Sequence, residues 1–206
     1  MTWDPFGTIG QALWIGGGQW AGKSTVSRVL AHRHRLTAYH FDYHDARAHN
    51  DRRAALGKRL EGVKWLSQTL DEHVAFALDD FTMRFEWVLD DLRALVSGAP
   101  IIAEGWGLRP ELVAPIAGDA RRMVVMVPTE DWRQQQLLAL PRASQFASSV
   151  DDLEAALRVR VARDRLIAED AMKSARRLGI RVIEVDGSLD AEAVSDMVAG
   201  HFAPYL

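Results

Sequence analysis

The chain of 206 residues contains no cysteine. Disulfides, thiolate zinc sites, iron–sulfur clusters and cysteine nucleophiles are excluded at once. Folding therefore needs no oxidising compartment, and a cytoplasmic location is expected. A basic excess is also missing: 25 Lys and Arg stand against 28 Asp and Glu, a formal net charge of −3. Dedicated nucleic-acid binders carry the opposite balance, so no nucleic-acid partner is expected, which leaves room for a local basic site for a phosphorylated ligand. No apolar run approaches the roughly 20 residues of a spanning helix. The start, Met1-Thr2-Trp3-Asp4-Pro5, lacks the basic and apolar segments of a signal peptide, and no membrane partner is expected. Internal repeats and low-complexity tracts are absent too. Tyrosine is scarce, at three residues against seven tryptophans.

What is present suits one domain with a real core: 48% of residues are hydrophobic and 26% charged. Short apolar runs alternate with stretches of helical period. Ala12–Ile15, Thr37–Phe41, Pro100–Glu104, Met123–Val127 and Arg181–Val185 read as strands. Such runs, separated by helical lengths, signal βαβ units and a parallel sheet. One helix is expected from Lys23 to about His34. From Val63 to Val96 apolar residues recur at gaps of three and four, which marks an amphipathic helical region. Unbroken it would be about 50 Å long, so a break is expected near Asp79-Asp80, with Asp80 capping a second helix. Thr129 is expected to cap a helix after the fourth strand, and Ser149 with Asp152 resembles a capping box. Further helices are expected at about 151–178 and 189–202. The stretch from Leu140 to Ser149 is a candidate mobile loop.

The segment Gly17-Gly18-Gln19-Trp20-Ala21-Gly22-Lys23-Ser24 matches G-x-x-x-x-G-K-S/T without a mismatch. Glycines let successive N–H groups turn inward as a nest for phosphate oxygens, and the following helix adds its N-terminal dipole. Lys23 is the residue expected to reach the β- and γ-phosphates, and the Ser24 hydroxyl is expected to ligate Mg²⁺. A glycine-rich turn with a chance lysine is the bland alternative, but the apolar strand before and the amphipathic helix after agree with the motif. No Asn-Lys-x-Asp guanine signature follows, which argues against a GTPase.

Together with Thr25, Asp42 after the second strand, Ile102-Ala103-Glu104-Gly105 after the third and the terminal Val185-Asp186-Gly187, this loop resembles the small P-loop kinases. The layout is similar to chloramphenicol phosphotransferase and to gluconate, shikimate and nucleoside kinases. The resemblance spans nearly the whole chain, although only the loop is highly specific. It implies a three-layer α/β/α fold over residues 1–206, with a five-stranded parallel sheet of order 2-3-1-4-5. It also implies a helical acceptor-binding insert at about 47–97 and a lid at about 133–163. The implied activity is transfer of the γ-phosphoryl group of ATP, with Mg²⁺, to a hydroxyl of a small molecule. Asp186, Gly187 and Ser188 would contact adenine, largely through backbone. Two departures stand out: no Glu-Arg-Ser type triplet follows the third strand, as in deoxynucleoside kinases, and the loop lacks the proline common in adenylate kinases. A nucleotide-binding regulatory or partner-sensing module with little or no kinase activity is the alternative function.

Asp42 falls at the carboxyl edge, where open α/β sheets bind ligands. It reads either as the base that accepts or orients the acceptor hydroxyl proton or as a turn or N-cap aspartate, with Asp45 as the second candidate base. Glu104 reads either as the carboxylate that holds Mg²⁺ through water or as a structural ion-pair partner, since a charge ending so apolar a run needs one or the other. Arg109 either faces the acceptor or starts a helix. Lid arginines are needed over the transferring group: Arg133 and Arg142 are the leading candidates, ahead of Arg158, Arg160 and Arg163, which would otherwise line a solvated helix face. His32, His34, His40, His44 and His49 crowd one segment without a repeated ligand spacing. They are not read as a metal site, although His40 and His44 flank Asp42. The aromatics Trp65, Phe76, Phe81, Phe85 and Trp87 read as helix-to-helix core, or else as the wall of an acceptor pocket. Trp14 falls on the first strand, Trp20 in the glycine loop, Trp106 two residues past Glu104 and Trp132 just after the fourth strand, so several of them are expected near the carboxyl edge of the sheet. The acceptor and the oligomeric state are not legible.

Overall fold

A computed structural model describes residues 3–57, 66–95, 97–139 and 152–206. Five strands form one parallel sheet: β1 Leu13–Gly17, β2 Thr37–His40, β3 Ile101–Glu104, β4 Met123–Pro128 and β5 Arg181–Val185. Their spatial order is β2-β3-β1-β4-β5, the order expected. The register sets His40 opposite Glu104, Glu104 opposite Ile15, and Gly17 opposite Met126. The carboxyl ends of the three central strands therefore meet at one edge.

Alternation along the strands explains the layers. Trp14, Tyr39, Ala103, Val125 and Val127 face a core completed by α1 (Thr8–Gln11), α5 (Leu70–Ala94), α6 (Pro110–Ala117) and α8 (Leu153–Arg177). Leu13, Ile15, Ile102, Val124, Met126 and Ile183 face the other core, closed by α2 (Lys23–His34) and α9 (Ala191–Phe202). Successive strand side chains point to opposite faces, so a sheet covered on both sides reads as continuous apolar runs. Trp14, on β1 as read, belongs to the interior, its ring centroid 6.4 Å from that of Phe85.

Two expectations about helices change. The break at Asp79-Asp80 does not occur: α5 runs unbroken through 25 residues. It opens on a capping box, with Glu72 Oε2 accepting from the Thr69 amide at 2.7 Å and Thr69 Oγ1 accepting from the Glu72 amide. Asp80 is not a cap but a buried carboxylate, 2.7 Å from Arg53 and 2.6 Å from Arg84. Second, β2 passes directly into helical backbone, as α3 (Phe41–His44), a π-helical turn (Asp45–His49) and α4 (Asn50–Ala55). Two arginines that need carboxylates, Arg53 and Arg84, draw this segment against α5.

The helix after β4 is α7 (Glu130–Ala139), with Thr129 Oγ1 accepting from the Trp132 amide at 3.4 Å. Asp152 caps α8 through the Ala155 amide, and Asp190 caps α9 through the Ala193 amide. Ser149, Trp65 and the whole Leu140–Ser149 stretch lie outside the described residues.

Candidate active site

The glycine loop between β1 and α2 takes a backbone course that its glycines permit. Gly17 has φ +114° and a Cβ there would lie 2.1 Å from the Met126 carbonyl oxygen, so only glycine lets the loop leave β1 against β4. The Gly18 amide donates to that same oxygen at 2.9 Å. Gly22, with φ +77°, is the N-cap of α2 and offers no capping side chain, which leaves the helix N-terminus open to an anion. Lys23 is buried and folds back, its Nζ donating to the Gly18 carbonyl oxygen at 2.6 Å. Ser24 and Thr25 follow on the first turn of α2.

Beside the loop, Glu104 is 1% exposed. Its Oε1 pairs with His40 Nδ1 at 2.9 Å. Its Oε2 is buried with no hydrogen-bond partner among the described residues. The hydrogen bond to Glu104 raises the His40 pKa against the opposing effect of burial. A buried carboxylate oxygen left bare is costly in water-free surroundings. That oxygen is placed to accept from a water of a hydrated cation.

Asp42 sits two residues past His40, in the first turn of α3, and is exposed. Its charge acts on His40 and on Arg84. Asp45, in contrast, is ion-paired with Arg84 and lies 3.8 Å from Arg53, which gives it a structural role. Burial draws Arg84 down to about 10, with Asp42 opposing the shift. Above this group runs an aromatic layer. Phe41 lies against Gly105 and Gly107, Phe81 meets Trp106 edge-on at 4.6 Å, and Arg163 stands 5.2 Å from the Trp106 ring centroid. The insert and the loop after β3 are thereby joined next to Asp42.

His44 and His49 take structural places. Asp91 Oδ2 accepts from the Tyr39 hydroxyl at 2.8 Å, and it meets His49 Nε2 at 2.9 Å and His44 Nδ1 at 3.2 Å. Among the described residues no group of three or more His, Cys, Asp or Glu has metal-site geometry.

The arginines divide. Arg109 is buried and does not face the sheet edge: it donates to the Ile167 carbonyl at 3.1 Å and pairs with Glu111 and Asp170, tying α6 to α8. Arg133 is buried in α7 and ion-paired with Glu130. Arg158 pairs with Glu154 and Arg163 with Asp164, each at 2.6 Å. Arg142 lies outside the described residues.

A cavity of about 460 Å³ opens on the other side of the loop, lined by Trp20, Thr25, Trp132, Gln136, Val185 and Leu189 among others. Asp186, Gly187 and Ser188 do not line it. Asp186 Oδ1 instead accepts from the Ser188 amide and hydroxyl, at 2.9 and 2.6 Å. The cavity gathers residues from the loop, α7 and the β5–α9 connection, so it has no signature along the sequence. His40 was legible only as a neighbour of Asp42, because its contact with Glu104 depends on the pairing of β2 with β3.

No protein-family model matches the chain, and no curated protein matches it in sequence. Among solved structures, a shikimate kinase from Aquifex aeolicus aligns over 93% of this chain and 96% of its own, at 16% identity and a TM-score of 0.48. The strand order and the phosphate loop of this chain define its class: a P-loop fold with a five-stranded parallel sheet between helical layers.

Proposed function

We propose that the protein is an ATP-dependent phosphotransferase acting on a hydroxyl group of a small molecule. The observation that carries the reading is the meeting of three features at one sheet edge: the glycine loop with its buried Lys23, the half-partnered carboxylate of Glu104, and Asp42 on the adjoining strand end. The loop amides and Lys23 hold the triphosphate. Ser24 and, through water, Glu104 would hold Mg²⁺, which when bound neutralises phosphate charge. Asp42 orients the acceptor hydroxyl and takes its proton. The acceptor oxygen bonds to the γ-phosphorus as the bond from that phosphorus to the β–γ bridging oxygen breaks, and ADP leaves. Arg133 and Arg142 are proposed to approach the transferring group, which asks Arg133 to exchange Glu130 for phosphate. Partly exposed Trp106 and the α3–α5 face are the proposed acceptor side, while Phe81, 1% exposed, belongs to the core behind them.

A panel of sugars, polyols, nucleosides and hydroxylated antibiotics, screened for ADP release, tests the reading, with Lys23→Ala as control. Acceptor-dependent ADP release that Lys23→Ala abolishes is the expected result. Full activity in Lys23→Ala refutes the site, and nucleotide binding without transfer to any acceptor class favours a binding module instead.

A further inference from the structure

Trp20 occupies a backbone position that suits it poorly. Its φ of 68° lies in the left-handed region, disfavoured for a bulky side chain and free for glycine. Holding phosphate does not call for a side chain there, because the nest is made of backbone N–H groups. Yet the indole is ordered inward, 8% exposed, and forms one wall of the 460 Å³ cavity.

A second indole, Trp132, belongs to the same cavity and is seated with equal care. Gly187 has φ +83°, and a Cβ on it would lie 2.3 Å from Trp132 Cε3. The turn after β5 therefore presses bare backbone against the indole, and the hydrogen bonds of Asp186 to Ser188 hold that turn closed. The glycine of Asp186-Gly187-Ser188 serves to place an aromatic ring.

The chemistry of the lining names the occupant. Gly22 and Thr25, at the helix start proposed to hold phosphate, open into the cavity. Among the described residues that line it there is no Lys or Arg and one carboxylate, Asp190, which caps α9 at 2.8 Å from the Ala193 amide. Among those residues another anionic group finds no cationic partner. A flat, neutral, heteroaromatic ring does: two indole walls, aliphatic Val185 and Leu189, and the Gln136 amide with one donor and one acceptor side. The volume falls within the range of about 300–1,000 Å³ usual for small-molecule sites.

We propose that Trp20 and Trp132 form an aromatic clamp for the base of the nucleotide, and that Trp20 is kept in a disfavoured backbone conformation for that contact. This inference rests on the nucleotide reading given above. Affinity for the base moiety then comes from side chains on the loop and α7, separate from the backbone amides that hold phosphate.

Calorimetric titration of ATP and of inorganic tripolyphosphate, the second probe carrying no base, separates the two. Wild-type protein is expected to bind both, with ATP tighter. Trp20→Gly should weaken ATP by about ten-fold, the scale of one base–aromatic stack, while tripolyphosphate affinity stays unchanged. Trp20→Phe should keep most of the ATP affinity, and Trp132→Leu should repeat the pattern of Trp20→Gly from a residue outside the loop. ATP affinity unchanged in both Trp20→Gly and Trp132→Leu overturns the clamp, as does a parallel loss of tripolyphosphate, which marks distortion of the loop. Wild-type protein that binds tripolyphosphate and ATP equally also overturns it and leaves the phosphate site standing. Wild-type protein that binds neither overturns the nucleotide reading and the clamp with it.

Discussion

His40 Nδ1 and Glu104 Oε1 lie 2.9 Å apart across the paired ends of β2 and β3. One carboxylate oxygen is thus fixed by the neighbouring strand, and the other has no hydrogen-bond partner among the described residues. Glu104→Gln keeps the size of the side chain and removes its charge. We expect binding of nucleotide without metal to change little, and the Mg²⁺ concentration for half-maximal turnover to rise about ten-fold or more. An unshifted Mg²⁺ requirement would leave Glu104 with a structural role only.

Asp42 is exposed on α3, and Asp45, three residues on, is half-buried and ion-paired with Arg84. Asp42→Asn should lower turnover by about 10²–10⁴-fold, the usual worth of a positioned base, with nucleotide affinity preserved. Undiminished turnover with an identified acceptor removes Asp42 from the chemistry.

Asp80 carries the charge balance of the α4–α5 contact. Arg53 and Arg84 are both nearly buried and both lean on its Oδ2. Removing one partner of a buried ion pair strands the other charge, so Asp80→Ala should cost about 3–5 kcal/mol in urea unfolding. A loss below about 1 kcal/mol would mean that Asp45 alone balances both arginines.

Asp91 supplies a pH dependence. Burial would raise its pKa, but hydrogen bonds from His49 and Tyr39 hold it below the ordinary value. A carboxylate with a depressed folded-state pKa stabilises the fold fully above its unfolded value of about 3.9, and that stabilisation is lost as pH falls through the folded value. The stability gap between wild type and Asp91→Asn should therefore shrink as pH falls from about 5 to 3. Urea unfolding across that range is the measurement, and a gap that stays level to pH 3 contradicts the assignment.

Much of the site was legible along the chain because its chemistry is local. The loop from Gly17 to Thr25 needs consecutive amides and a following helix, and both are properties of neighbouring residues. Glu104 stood out because a charge at the end of Ile101-Ile102-Ala103 is anomalous in a buried strand. Asp80 misled for the same reason: on an amphipathic helix an aspartate reads as a cap, and only Arg53, brought over by the turn after β2, makes it a core residue. Arg109 starts α6, one of its two readings, and its side chain turns toward Ile167 and Asp170 because α6 and α8 share a sheet face.

The alternation of apolar runs with helical periods was enough for the strands, their parallel sense and the phosphate loop, because hydrophobic period and glycine geometry act over a few residues. Folding in three dimensions settled which distant residues meet. Sheet register joined His40 to Glu104, packing of the β5 turn seated Trp132 on Gly187, and tryptophans that looked alike in composition took different places among the described residues. Trp14 became core, Trp106 met Phe81, and Trp20 and Trp132 came to line one cavity. Those contacts cross tens to more than a hundred positions, and side-chain type alone carries no information about partners at that range.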